Sequence, residues 1–343
     1  MTTEQRTLGR TGVSVSTYCL GAMMFGSWGN TDHDDCVRMM HTAFDAGVNF
    51  VDTADVYSMG ESEEIVGKAI VDRRDELVIA TKFHAPMGTD PNMKGNSRRW
   101  IMREVESSLR RLGTDWIDLY QVHRPDDATD IDDTLGALSD LVHQGKVRYL
   151  GSSTFPAEYV VEAQWVAERR GRERFVCEQP PYSIFVRGIE AALLPTCRRY
   201  GMGVIPWSPL AGGYLAGRYR RGQEIPEDSR YGRRFGRLGN DKERAVHEQR
   251  LGAVEQLATL ADEAGMPLSH LAMAFVLEHP GVTSAIIGPR TMDQLDDLLL
   301  GADIRLETDV LDRIDEIVPP AADIMGADPW TPSGLSRSAR RRQ

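Results

Sequence analysis

The sequence predicts an α/β fold, a (β/α)8 TIM barrel, and three observations predict it. Short β-branched apolar runs alternate with longer amphipathic stretches. The alternation can be counted eight times within the 343 residues. The glycine-rich G-x-G-x-x-G turn that would announce a doubly wound sheet is missing, because LGAMMFG after the first strand has no third glycine in the required place.

Taken in order, residues 3–15 come first, with Gly9 and Gly12 flanking a turn between short polar and apolar runs; they read as a hairpin that plugs the barrel floor. The strands follow as STYCLGA (16–22), VNFVDTA (48–54), LVIATKF (77–83), WIDLYQVH (116–123), VRYLGSS (147–153), FVCEQPP (175–181), GVIPWSP (203–209) and TSAIIGP (283–289). A helical candidate follows each. Asp32 and Ser97 stand where N-caps are needed, and Gly113, Gly145, Gly171, Gly201 and Gly265 stand at or near helix ends. The segment from Leu210 to about Arg244, after the seventh strand, is rich in Gly and Arg, has no clear period and is too long for a mere connector. It reads as a candidate lid. The tail from Gly326, ending in SRSARRRQ, has little to bury and is expected to be disordered. One barrel domain over 1–325 and a tail over 326–343 result.

Composition excludes several function classes. With 41% apolar and 27% charged residues the chain has the balance of a globular protein with a large core. The formal charge of −11 argues against a nucleic-acid partner, since neutralising phosphates requires a basic surface. No stretch approaches the ~20 apolar residues of a membrane span, and MTTEQRTLGR has no apolar signal core, so a cytoplasmic address is expected. Cys19, Cys36, Cys177 and Cys197 are scattered without C-x-x-C spacing and read as reduced and mostly buried. The histidines show no H-x-H or H-E-x-x-H pair, so no metal is expected.

In a barrel of this type the active site lies at the C-terminal strand ends. There Asp52 closes the second strand, Tyr57 lies in the loop beyond it, Lys82 ends the third strand and His123 the fourth. Singly, each has an ordinary role as cap, rim residue, surface amine or core imidazole. Together on adjacent strand ends they suit proton donation. A phenol with pKa near ~10 is a poor acid at neutral pH, and an adjacent ammonium is expected to lower that value. Asp52 would keep Lys82 charged, and a ring N–H of His123 can orient a carbonyl. A Schiff-base aldolase built on Lys82 would leave Tyr57 and Arg290 unexplained.

These residues sit in segments that resemble the aldo-keto reductase superfamily: NFVDTADVYSMGESEEIVGKAI, IATKF, LYQVHRPD, YLGSST, EQPPYS, PWSPLAGGYLAGRY and IIGPRTMDQLDD, in family order over roughly residues 5–318. HRPD and SPLAGG place the chain nearer the bacterial reductases and potassium-channel β subunits than the aldose reductases. The resemblance implies NADPH-dependent reduction of aldehydes or ketones, with Asp52, Tyr57, Lys82 and His123 as catalytic residues and Tyr57 as general acid. It implies NADP(H) bound without a Rossmann domain: Ser152 and Gln179 on the nicotinamide carboxamide, Trp207 against the ring, Ser208, Leu210 and Gly212 along the pyrophosphate, and Gly288, Arg290, Gln294 and Asp297 at the adenosine end. Arg290 favours NADPH over NADH, because a guanidinium suits a 2′-phosphate. Ser153 and Leu298 depart from the family, standing where relatives commonly have Asn. Met24, Trp28 and His84, with Tyr57 and Trp207, are candidate walls for a small-molecule carbonyl substrate. The alternative that the resemblance carries is a nucleotide-binding regulatory subunit like the channel β subunits; association into a homo-oligomer stays open.

Overall fold

The computed structural model describes residues 4–226 and 241–325. Strands β1 (Gln5–Thr7) and β2 (Ser14–Ser16) form the antiparallel hairpin, with Arg6 opposite Val15. Eight parallel strands follow: β3 (Tyr18–Gly21), β4 (Phe50–Asp52), β5 (Val78–Phe83), β6 (Ile117–Val122), β7 (Val147–Ser153), β8 (Phe175–Gln179), β9 (Gly203–Val204) and β10 (Ala285–Ile287). Their order is β10-β3-β4-β5-β6-β7-β8-β9. Backbone bonds close the ring between the two ends of that order. Thr283 N–H donates to Val204 O at 2.8 Å, and Ile286 N–H donates to Pro206 O at 2.9 Å.

All eight expected strands are present, but several are shorter than the apolar runs that announced them. Val48 N–H is taken by Ala43 O at the end of the preceding helix, so the second run begins in a turn. Pro206 has no N–H to give β10, so β9 keeps only two regular ladder residues, although Ile205 and Trp207 N–H still donate to Glu178 O and Pro180 O on the β8 side.

The helices begin and end where the caps foretold. Asp32 accepts from Asp35 N–H ahead of α1 (His33–Asp45), and Ser97 accepts from Trp100 N–H ahead of the helix Arg98–Leu112. Gly113, Gly171 and Gly201 close their helices with φ of 63°, 64° and 66°. Between helices and sheet lies the larger core, with Val51, Ile79, Tyr120 and Leu150 of the strands packed among Met39, Ile65, Trp100, Leu138 and Leu271.

A second, smaller core fills the barrel itself. Cys19, Phe50, Ala80, Leu119, Cys177 and Ile205 point inward and are closed from below by Leu8 and Val15 of the hairpin. The floor fits tightly: a Cβ on Gly9, at φ +55°, would come within 2.7 Å of Gly201 O and Gly203 N, and backbone atoms cannot move aside. All four cysteines are free and buried. No helix among the described residues is long and apolar enough to cross a membrane.

The segment expected as a lid divides into parts. Its start makes a tight turn at Ala211–Gly213, then buries Tyr214, Leu215 and Tyr219. Tyr214 OH lies 2.6 Å from Nδ1 of His247 on the helix Asp241–Glu263, so this end is fastened to the body of the protein. That helix absorbs the last residues of the expected lid. Residues 227–240 and the tail expected from Gly326 lie outside the described residues.

Candidate active site

Period-two alternation along the barrel strands dictates what stands above the inner apolar layer. Two residues beyond Phe50, Ala80, Leu119, Cys177 and Ile205 come Asp52, Lys82, Gln121, Gln179 and Trp207. One step along each strand thus exchanges an apolar floor for a charged and amide-lined layer. Lys82 donates from Nζ to Asp52 Oδ1 at 2.6 Å, to Thr53 O at 2.7 Å and to Tyr57 OH at 3.2 Å. The second carboxylate oxygen of Asp52 accepts from Gln121 Nε2 at 3.1 Å and Gln179 Nε2 at 2.8 Å. The buried ion pair is therefore fully hydrogen-bonded, the condition under which such a pair is tolerated. Space for Gln121 comes from Gly151 on the neighbouring strand, where a Cβ would approach Gln121 Cγ to 2.9 Å.

His123 follows β6 directly, its N–H donating to Phe83 O at 3.0 Å. Its ring meets that of Tyr57 edge-on, with centroids 5.8 Å apart. Asp52, Tyr57, Lys82 and His123 thus converge as expected.

The electrostatics divide into a charged pair and two neutral rings. Burial opposes the charge on Lys82, but the Asp52 carboxylate and Tyr57 outweigh it and hold its pKa above the ordinary value. Burial, reinforced by the positive charges of Lys82 and Arg124, drives His123 well below the usual imidazole range, leaving it neutral with one N–H to donate. Burial also raises Tyr57, with Lys82 acting in the opposite direction. This corrects the sequence expectation of a lowered phenol pKa: loss of water around the phenol outweighs the ammonium, so the proton stays on Tyr57.

Backbone strain marks the same end of the barrel. Among the described residues, the non-glycines with positive φ are Ser58, Met59, His84, Thr154, Ser208, Ala211 and Ala321, and all but Ala321 lie in loops just after barrel strands. Such conformations cost about 1–3 kcal/mol each and persist where the surroundings over-determine them. His84 is pinned through Nδ1 to Asn96 Oδ1 at 2.9 Å.

Of the expected substrate walls, the Trp28 ring lies 6.0 Å from that of Tyr57 and is 44% exposed. The Trp28 backbone N–H donates to Ser58 Oγ, which ties the loop after β3 to the loop that carries Tyr57. Met59, in that loop, is 58% exposed, so an apolar rim faces solvent beside the phenol. Met24 is half-buried in the same loop as Trp28, and His84 directly follows β5.

The expected nucleotide residues flank β9 and β10. Trp207 is half-buried, and its indole Nε1 is buried without a hydrogen-bond partner. Ser208, Leu210 and Gly212 line the left-handed turn that follows. At Gly288 a Cβ would meet nothing within 4 Å, so the backbone there is open to approach. Arg290 N–H donates to Gln294 Oε1 at 2.9 Å, and Thr291 caps the helix Met292–Leu300, whose N-terminal dipole suits an anion. Asp297 engages the preceding helix through Ser269 Oγ at 3.3 Å and His270 Nε2 at 3.2 Å. Leu298 is buried in the core.

Ser152 stands differently from the other expected cofactor residues. The register sets it beside Glu178, and its hydroxyl donates to the Glu178 carboxylate; Ser153 is the residue paired with Gln179. Burial pushes Glu178 up to about 7, against hydrogen bonds from Ser152 and the Phe155 and Thr154 N–H groups. Sequence reasoning missed Gln121, Glu178, Arg124 and Thr154. The signal that could have found the first two is a charged or amide residue inside an otherwise apolar parallel strand, which needs a buried partner.

Fold and constellation together define a β/α-barrel protein with a buried Asp–Lys pair, a phenol and an imidazole gathered at the C-terminal ends of its strands. The profile of the Aldo/keto reductase family matches residues 18–319, and the chain belongs to that family of oxidoreductases. It is 38% identical over 340 residues to Uncharacterized oxidoreductase YrpG of Bacillus subtilis (strain 168), covering 95% of this chain and 100% of the relative. It is 36% identical to a Probable voltage-gated potassium channel subunit beta of Arabidopsis thaliana (92% of this chain, 96% of the relative). It is 32% identical to the Versiconal hemiacetal acetate reductase of Aspergillus parasiticus (93% and 98%).

Proposed function

We propose that the protein is an NADPH-dependent carbonyl reductase that converts aldehydes or ketones to alcohols, with Tyr57 as general acid. The observation that carries this reading is the Lys82 ammonium held between the Asp52 carboxylate at 2.6 Å and the Tyr57 hydroxyl at 3.2 Å. A nicotinamide bound beside these groups would supply the hydride. The orphaned indole N–H of Trp207, the open backbone at Gly288 and the capped helix at Thr291 fit such a nucleotide. Trp207 offers the ring a flat face, and Arg290 offers a 2′-phosphate paired donors. Gln179, whose Nε2 is committed to Asp52, keeps Oε1 as an acceptor for a carboxamide N–H.

The chain's own residues then handle the proton. Neutral His123 donates a ring N–H to the substrate carbonyl oxygen and orients it. Tyr57 gives its phenolic proton to that oxygen as negative charge develops there, and Lys82 stabilises the phenolate left behind. Because the phenol holds its proton, reduction is expected to stay level through neutral pH and decline only above the ordinary phenol range near ~10, as a pH–rate profile would show.

Tyr57→Phe tests the assignment: kcat should fall at least about 100-fold while NADPH still quenches protein fluorescence. Comparable turnover in the variant would remove Tyr57 from the acid role. Arg290→Ala should weaken NADPH about 10–100-fold more than NADH, measured by titration; equal losses would detach Arg290 from the 2′-phosphate. The relatives with channel-subunit names favour a second reading, a nucleotide-binding regulatory subunit. Wild-type protein that binds NADPH yet turns over no aldehyde would select it.

A further inference from the structure

Arg124 is a cation that the chemistry above uses only for its effect on His123, with no contact to substrate. It follows His123 at the top of β6, beside the half-buried Trp207 indole. Its guanidinium carbon lies 5.9 Å from the centre of the Trp207 ring. One guanidinium nitrogen donates to Thr154 Oγ1, and Thr154 is held at φ 60°, a backbone state that costs a β-branched residue. Among the described residues, no carboxylate lies within 4.0 Å of it, in contrast to Arg74, Arg111 and Arg187, half-buried or buried like it, each of which is paired with an acid. A strained residue thus fixes a half-buried guanidinium, its fork only partly satisfied, beside the reacting groups. Its charge reaches both Tyr57 and His123, where it acts to lower each pKa.

We infer that Arg124 is an anion subsite of the substrate pocket, and that the preferred substrates are aldehydes or ketones bearing a carboxylate within a few bonds of the carbonyl. The inference rests on the carbonyl-reductase reading and narrows its substrate class. A carboxylate matches the planar fork and would give the guanidinium an ion-pair partner within hydrogen-bond reach, which among the described residues it does not have, beside the Trp207 ring. With Tyr57 and His123 fixing the carbonyl oxygen, Arg124 would hold the other end of a short acidic substrate.

The test compares 4-carboxybenzaldehyde with its uncharged methyl ester, at saturating NADPH, in the wild type, Arg124→Met and Arg124→Lys. The acid-to-ester ratio of kcat/KM should fall about 10–100-fold in Arg124→Met, chiefly through KM, with Arg124→Lys between the two. In the wild type the ratio should also decline with added salt, a readout that needs no variant to fold. A ratio unchanged in Arg124→Met and insensitive to salt would reduce Arg124 to a prop for Thr154 and overturn the inference, while ester turnover would leave the carbonyl-reductase reading standing. If the wild type reduces neither compound, that reading fails and the subsite falls with it.

Discussion

Two neighbouring layers inside one barrel, built by the same strands, have opposite chemistry. The lower layer, with Phe50, Ala80, Leu119, Cys177 and Ile205, is apolar and sealed by the hairpin residues Leu8 and Val15. The upper layer, two residues further along, holds Asp52, Lys82, Gln121, Gln179 and Trp207. Strained non-glycine backbone gathers around the upper layer at Ser58, Met59, His84, Thr154, Ser208 and Ala211, and among the described residues none occurs at the floor. The contrast teaches that this barrel spends its hydrophobic burial below and its strain and charge above. A cut in the floor can therefore lower stability while sparing the groups above it, whereas a cut in the charged layer strikes both.

The sharpest way to break the contrast is to remove the ammonium. Lys82→Met leaves Asp52 buried without its cation, so it should cost about 3–5 kcal/mol in denaturant titration and abolish carbonyl reduction. Retained stability would mean that Gln121 and Gln179 alone satisfy Asp52. The matching cut in the floor is Leu119→Ala, expected to cost about 3–4 kcal/mol through the cavity it opens. The folded fraction should keep kcat within about threefold, since the reacting groups are untouched; a collapse in kcat would show that the two layers are mechanically one.

The smallest expected effect concerns Glu178, on the outer side of the strand that carries Gln179. Its carboxyl, pushed up to about 7, binds a proton in the folded protein at pH values where the unfolded chain, near 4.5, has released it. Its contribution to stability is therefore present below about pH 4.5 and is lost as pH rises to about 7. Glu178→Gln should flatten this dependence by at most about 3 kcal/mol across that window, read as the difference between variant and wild-type melting curves. Parallel curves would mean that Glu178 is ionised throughout.

The strand positions and the four converging residues were legible because alternation and strand-end placement are written in the order of residue types. What stayed hidden depended on pairing register. Gln121 and Glu178 look like ordinary polar interruptions in LYQVH and VCEQP until β6 is set beside β5 and β8 beside β7, which puts Gln121 next to Lys82 and Glu178 next to Ser152. The strands at VNFVDTA and GVIPWSP are shorter than their apolar runs because hydrophobic runs record burial, whereas the ladder stops where a proline or a helix end takes away its donors. The direction of the Tyr57 shift stayed hidden for a related reason: sequence shows that Lys82 is near but not that burial of the phenol outweighs it.

The circle of strands has a seam. Between β9 and β10 the ring is joined by bonds such as Thr283 to Val204 and Ile286 to Pro206, where other neighbours share regular ladders. Ser208, Leu210 and Gly212 follow the strand on one side of this seam, and Gly288, Arg290 and Gln294 the strand on the other. Any molecule gripped from both sides would act as a staple, so occupancy should slow amide exchange at Thr283 and Ile286 more than on β5 or β6 and raise the melting temperature of the whole barrel.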